Sequence, residues 1–457
     1  MKALTAEHVS PIADEQSIDA KRRSAIKGAF FSEFIDMFDI YLPVVVLSPV
    51  LFFFQPPHLS SGMETILASL VFITTLLGRP IGALLFGMVA DRLGRRKASI
   101  YSVSGFGVIT LLIALLPGYQ SIGIASYWLL VLLRFVDGIF LGGGYTGAMP
   151  LAIEYSRKHQ RGFVGGLIIA GFPAAYVTIN LVAMVMFAVF PLNGVNSPYA
   201  QWGWRIPFVI GAVLAGVLAL YYVHKVSESE IWKSEAGEKH AKSEAKNEAR
   251  NDTPLLSELM RGKSARSLVQ VLLLMTGFWL TQNIITIFLP TGLLVHTLHL
   301  SGFQLTSTLL LSYFVLFFSY IGAGMLGQKI GRRRFFAIVG PLIATIGAAL
   351  LYVLGNVRGL SLPTIMLTVC VLAVLVTSPW GVIVTYINER FATEVRATGF
   401  GVGFSLSVIV PSFYAFYMNW LSAWMPLSVT PVVLLSLGGL IGMTGALMGP
   451  ETRDVDF

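Results

Sequence analysis

Residues 87–97 read GMVADRLGRRK, and residues 324–334 read GMLGQKIGRRR. Each string closes a long apolar run, and the two share a pair of glycines and a basic triplet at the same spacing. Gly87 and Gly324 remove the side chain where two helices must approach closely. Gly94 and Gly331 permit a tight turn at little steric cost. Asp91 can cap a neighbouring helix N-terminus or pair with a base, and the arginines that follow can bridge to helix ends. The string therefore reads as a lock between helices on one side of a membrane, built twice in one chain. Its gating candidates are Asp91, Arg92, Arg95 and Arg96 in the first copy, and Gln328 and Arg332 in the second. The plainer reading of the same bases is topology marking.

Composition places these strings in a membrane. Of 457 residues 55% are hydrophobic and 12% charged, against roughly 25% charged in a soluble domain. The mean hydropathy is +0.73. Apolar runs recur at 27–54, 65–90, 98–117, 127–154, 162–190, 204–224, 267–291, 304–328, 335–355, 362–388, 397–418 and 425–449. Each is near the roughly 20 residues needed to span hydrocarbon as a helix. They are continuously apolar, not short and alternating, which excludes a β-barrel. The expected class is an all-α polytopic membrane protein with twelve transmembrane helices in two six-helix bundles.

The bases orient the chain. Lys21, Arg22, Arg23 and Lys27 precede the first span, and the two repeated strings, Arg157/Lys158/Arg161 and Arg390/Arg396 fall on the same side. The other side holds Arg205, read as an interfacial anchor after Trp202 and Trp204, and Arg358. The positive-inside bias puts both termini in the cytoplasm. The net charge of +8 is thus a topology signal, and bases dispersed among spans argue against nucleic-acid binding. Residues 1–20 lack the apolar core of a signal peptide. Cys370, the single cysteine, cannot form an intrachain disulfide. The expected organisation is a cytoplasmic tail at 1–26, a bundle at 27–224, a charged cytoplasmic linker at 225–266, a second bundle at 267–449 and a tail at 450–457.

Into this lipid-soluble sequence the stretch FFSEFIDMFDIYLP (30–43) sets three carboxylates, Glu33, Asp36 and Asp39. Three-residue steps turn successive side chains by about 60°, so the three share an arc of roughly 120° on one helix face. Facing lipid, each would cost a few kcal/mol; the face must border protein or water. Arg134 and Asp137 lie in the fourth span, and Arg79 in the second. Arg134 stays charged and needs an anion, so we expect a cluster of Glu33, Asp36, Asp39, Arg134 and Asp137. Competition between a proton and arginine for a carboxylate can couple protonation to helix movement. Asp36 is the first candidate proton carrier, then Glu33, then Asp137. Arg134 suits a substrate carboxylate or an internal switch, and Arg79 either the pathway or the scaffold.

The second half has almost no central charge. Gln282 and Asn283 in FWLTQNIITIFLP and Trp380 in TSPWGVIVTY are its candidate solute contacts, with Pro379 interrupting helical hydrogen bonding. Tyr41, and the pair Tyr176 and Asn180 on one helix face, are further candidates alongside Arg134. Glu154 before Arg157 and Arg161, and Glu389 before Arg390 and Arg396, read as capping or gating pairs at helix ends.

These features together resemble the major facilitator superfamily. EFIDM at 33–37, GRPIGALLFG at 78–87, RFVDGIFLGGGYTGA at 134–148 and IEYSRKHQRG at 153–162 are similar to its metabolite:proton symporter branch, which carries organic acids, shikimate and betaines. Against the branch pattern, Phe34 and Ile35 stand where an aromatic pair is usual, and Asp39 is an added acid. Gly142-Gly143-Gly144 replaces Gly-Gly-Glu, and Asp137 replaces a glutamine. The resemblance implies proton-coupled transport of a small organic solute by alternating access, in a bacterial inner membrane. Uniport or antiport of a zwitterionic or neutral solute, and a non-transporting receptor, are the alternatives. The acids have neither a nucleophile nor a metal cluster beside them, so no enzyme, cofactor or metal is expected. The expected partners are a small metabolite, protons and membrane lipids, and nothing requires more than one chain.

Overall fold

The computed structural model describes residues 11–57, 59, 61–234 and 255–456. The first ten residues of the expected tail, residues 235–254 of the expected linker and residue 457 lie outside the described residues.

Twelve helices among the described residues are long and apolar enough to cross a membrane. They are α1 (Ile18–Phe53), α2 (Leu70–Leu93), α3 (Arg95–Ala114), α4 (Ala125–Glu154), α5 (Lys158–Val189) and α6 (Tyr199–Lys225), then α7 (Gly262–Thr297), α8 (Gly302–Ile330), α9 (Arg332–Asn356), α10 (Leu362–Asn388), α11 (Thr393–Leu421) and α12 (Thr430–Met448). Helix α1 extends back to Pro11, so much of the expected amino-terminal tail is helical. Apolar side chains such as Trp128, Leu132, Val217 and Phe314 face outward, as lipid contact requires.

The helices form two bundles of six. In the first, α4 packs on α2 and α3, and α1 on α4 and α5; between the bundles, α2 meets α11 and α5 meets α8 and α10. Glycine sets the closest approach. A Cβ on Gly78 or Gly82 would run into the backbone of Phe135 or Ile139, and one on Gly138 or Gly142 into the carbonyl of Thr75 or Arg79. Two i,i+4 glycine pairs thus let the α2 and α4 backbones touch, which brings Arg79 and Arg134 to facing positions beside α1.

Of the helices that change geometry along their length, two matter most for the site. Helix α7 passes into a π-helical stretch, Ile284–Thr297, directly after Asn283, with Pro290 inside it. Helix α10 breaks at Pro379 into Leu362–Thr377 and Trp380–Asn388. Such irregular backbone is tolerated in a membrane where it lines a cavity or packs on protein. Both breaks sit beside residues that line the cavity described next.

Candidate functional site

The carboxylates of α1 do not all pair with Arg134. They divide between two arginines. Arg134 donates to Asp137 at 2.8 Å, to Asp39 at 3.1 Å and to the Thr75 hydroxyl at 3.1 Å, while Thr110 donates to Asp39 at 2.7 Å. Asp36 instead accepts from Arg79 at 2.7 Å. Arg79 also lies 5.0 Å from the centre of the Tyr145 ring, and the Tyr145 hydroxyl bonds Ser405 across the bundle interface. Glu33 has neither an ion pair nor a hydrogen bond with any described residue. All of these acids and arginines are buried. Four carboxyl groups therefore share two guanidiniums in a region of low dielectric.

Between the bundles lies a cavity of about 70 Å³, room for several waters by the usual measure. Its amino-terminal wall carries Glu33 and Tyr41 from α1, Arg79 from α2 and Phe172 from α5. Its carboxyl-terminal wall carries Trp279, Gln282, Asn283 and Thr286 from α7, Tyr320 from α8, Trp380 from α10 and Phe404 from α11. Of the expected solute contacts, Tyr41, Gln282, Asn283 and Trp380 border this space.

Three others do not. Arg134 is enclosed by its own acids inside the first bundle and does not line the cavity. Asn180 turns back to the Tyr176 carbonyl at 2.7 Å. The Tyr176 ring stacks on Tyr313 of α8, centroids 3.9 Å apart, bridging the bundles beside the cavity. The cation on the wall is Arg79, which lies between Gly78 and Gly82, the glycines that let α2 touch α4; the GRP sequence alone gave it no direction.

The comparisons agree with this architecture. The family model for the Major Facilitator Superfamily matches residues 29–415. The chain belongs to that superfamily. Similar curated proteins include the proline/betaine transporter of Salmonella typhimurium, 29% identical over 95% of this chain and 85% of that protein. The alpha-ketoglutarate permease of Escherichia coli is 30% identical over 86% and 85%, and the shikimate transporter of Escherichia coli 27% over 97% and 99%. A solved proton:xylose symporter bound to 6-bromo-6-deoxy-D-glucose superposes with a TM-score of 0.75 at 18% identity, covering 95% of this chain and 97% of that one.

At the basic end of this superfamily member, the repeated strings join the two bundles by parallel sets of contacts. Asp91 accepts from the backbone of Ala397 at 3.1 Å and of Thr398 at 2.8 Å, and from the Thr398 hydroxyl at 2.7 Å. It caps α11 while holding Arg95 at 2.9 Å. In the second copy Gln328 accepts from the Gly162 backbone at 3.0 Å and from Arg332 at 2.8 Å. Gly94 and Gly331 take φ values of 110° and 103°, a region that favours glycine.

Each glutamate takes one arginine across the interface and one from its own bundle. Glu154 accepts from Arg396 at 2.8 Å and from Arg95 at 3.4 Å; Glu389 meets Arg332 at 3.0 Å and Arg161 at 3.9 Å. The reason is geometric: the end of α4 abuts the start of α11, and the end of α10 abuts the start of α5. Arg157 instead reaches Asp19 at 3.5 Å, and Arg390 reaches Gln270 at 3.0 Å. Arg96 donates to the Tyr222 carbonyl at 3.0 Å, and Arg92 is exposed.

Two further acids belong to this end of the molecule, and the spacing of the charged loops does not single them out. Glu228 caps α3 through the backbone of Arg95 at 2.9 Å, and Glu451 caps α9 through that of Arg332 at 2.8 Å. Their neighbours Ser229 and Thr452 donate to Glu154 and Glu389 in turn. A second repeat, Glu-Ser at 228–229 and Glu-Thr at 451–452 after the last helix of each half, is the signal the sequence holds for them.

Proposed function

We propose that this chain moves a small carboxylate-bearing solute together with a proton by alternating access. The observation that carries this reading is Glu33, an unpaired carboxyl on the cavity wall that Arg79 also lines. Two guanidiniums balance two of the four buried carboxyls, and the remaining two are neutral when they hold protons. Glu33 is the one of these acids open to the cavity, so it replaces Asp36, held by Arg79, as first candidate for the carrier. Asp39 and Asp137 share the single charge of Arg134.

Coupling follows from charge. The bond to Asp36 occupies one of the five N–H donors of Arg79, leaving others for a solute carboxylate. That anion and an ionised Glu33 repel each other, whereas a protonated Glu33 can donate to it. Anion and proton each favour the other's binding, as linkage requires. With the basic end in the cytoplasm of a bacterial inner membrane, the bonds of Asp91, Gln328, Glu154 and Glu389 close the cytoplasmic side. Rocking of one bundle against the other must break them. A single chain contains all these parts.

A zwitterionic solute is the second reading. The rings of Tyr41, Phe172, Trp279 and Phe404 around Glu33 suit an alkylammonium group, and a proline/betaine transporter is among the relatives. A panel of carboxylates and zwitterions, taken up into proteoliposomes with and without an imposed inward proton gradient, tests both. Gradient-stimulated uptake of carboxylates supports the first reading; uptake of betaines alone supports the second and overturns the first.

A further inference from the structure

The two walls of the cavity differ in kind. Charge comes from the first bundle, in Glu33 and Arg79, whereas the second bundle supplies neutral polar groups. Three of these are buried and have no hydrogen-bond partner, the Tyr320 hydroxyl among them. The Trp380 indole N–H has no acceptor and the Gln282 side-chain oxygen has no donor. Both residues border the cavity.

The orphan indole is an exception among the buried and half-buried tryptophans of the described residues. Trp204 Nε1 donates to the Ala200 carbonyl at 2.9 Å, Trp232 Nε1 to that of Asp91 at 2.8 Å, and Trp279 Nε1 to that of Phe404 at 2.8 Å. Trp380 is only 4% exposed. It packs edge-to-face on Trp279 with centroids 4.5 Å apart, so its ring is held while its N–H is left open. Buried polar groups in native proteins are nearly always satisfied; one left without a partner beside a cavity can be satisfied by a ligand when the cavity opens to receive it.

The chemistry of that ligand group is restricted. An indole N–H only donates, so its partner must accept. The amide oxygen of Gln282 only accepts, so its partner must donate. A hydroxyl does both. An ammonium cannot accept, and a second carboxylate would sit opposite a wall that carries no cation.

We infer that the transported carboxylate bears an uncharged hydroxyl, which Trp380 and Gln282 bind while the carboxylate lies at Arg79. This inference rests on the preceding reading of the cavity as a carboxylate site. It makes Trp380 and Gln282 specificity-determining residues, with discrimination between a hydroxy acid and its deoxy analogue as their output.

The test uses the full chain in proteoliposomes, with radiolabelled shikimate and its matched deoxy analogue cyclohex-1-ene-1-carboxylate as probes in counterflow, and 4-hydroxybutyrate with butyrate as competitors. The hydroxylated member of each pair should be preferred by about tenfold or more, the scale of one well-made hydrogen bond in a closed site. Trp380→Phe keeps the ring and removes the N–H; it should erase most of that preference, lowering hydroxy-acid transport more than deoxy-acid transport. Gln282→Leu should do the same by a second route, which keeps the test decisive if one variant folds poorly. Equal handling of hydroxy and deoxy acids, or a preference untouched by both substitutions, overturns the inference but leaves carboxylate transport standing. Should the uncharged polyol inositol be carried while no carboxylate is, the underlying reading fails instead, and with it the inference as stated.

Discussion

Arg79 and Arg134 illustrate how much one turn of helix decides. Both are buried arginines beside acids, yet Arg79 borders the cavity and Arg134 is enclosed by Asp39, Asp137 and Thr75. Replacing each by lysine should therefore have different consequences. Arg79→Lys keeps the charge but loses the planar fork; solute half-saturation should rise about tenfold, roughly 1.4 kcal/mol of binding, with folded protein still recovered. Arg134→Lys breaks a three-way buried network, where losing a partner costs about 3–5 kcal/mol. It should lower thermal stability in detergent, with little change in the affinity of the protein that survives. A matching fall in affinity for both variants would contradict the placement of Arg134. The acids on α1 were legible in the sequence because three carboxylates on one face of an apolar helix are too costly to leave in lipid. Which arginine each one takes was not, since that depends on how closely α2 approaches α4.

At the scale of elements, that approach rests on glycine. A Cβ on Gly82 would meet the Ile139 carbonyl, whereas Gly216 on α6 has open space around it. Gly82→Val should abolish a monodisperse product by size-exclusion chromatography, and Gly216→Val should leave the profile unchanged. The repeated strings make a second element-scale prediction. Asp91 binds α11 with a charge, while Gln328 binds the start of α5 with a neutral amide. Asp91→Asn should weaken the α2–α11 latch. Spin labels at exposed Leu93 and Ala392, in a Cys370→Ser background, should show a larger fraction of long distances. An unchanged distribution would mean that the capping bonds do not hold this interface. That these strings hold contacts between helices was readable from the duplicated GMVADRLGRRK and GMLGQKIGRRR. The crossed pairing was not, because Glu154 precedes Arg157 in the chain but faces Arg396 in space.

In the whole molecule, charge on one bundle faces neutral hydrogen-bonding groups on the other across a narrow cavity, with the basic end fastened by contacts made once per half. The duplication and the apolar runs announced two six-helix bundles, because membrane solvation restricts such a sequence to packed helices. The cavity could be foreseen only in part. Gln282, Asn283 and Trp380 stood out as polar or indole groups near helix breaks, whereas Tyr320 and Phe404 look like any aromatic in a membrane helix. The symport proposed for this arrangement requires that a solute crossing the membrane bring a proton with it, and that Glu33 carry it. The most direct measurement is solute-driven acidification inside proteoliposomes loaded with a pH-sensitive dye, comparing the natural chain with Glu33→Gln at matched counterflow rates. Acidification by the natural chain and its loss in Glu33→Gln, with counterflow retained, is the expected outcome. Undiminished acidification in Glu33→Gln would remove this residue from the proton path and refute the coupling proposed for the cavity.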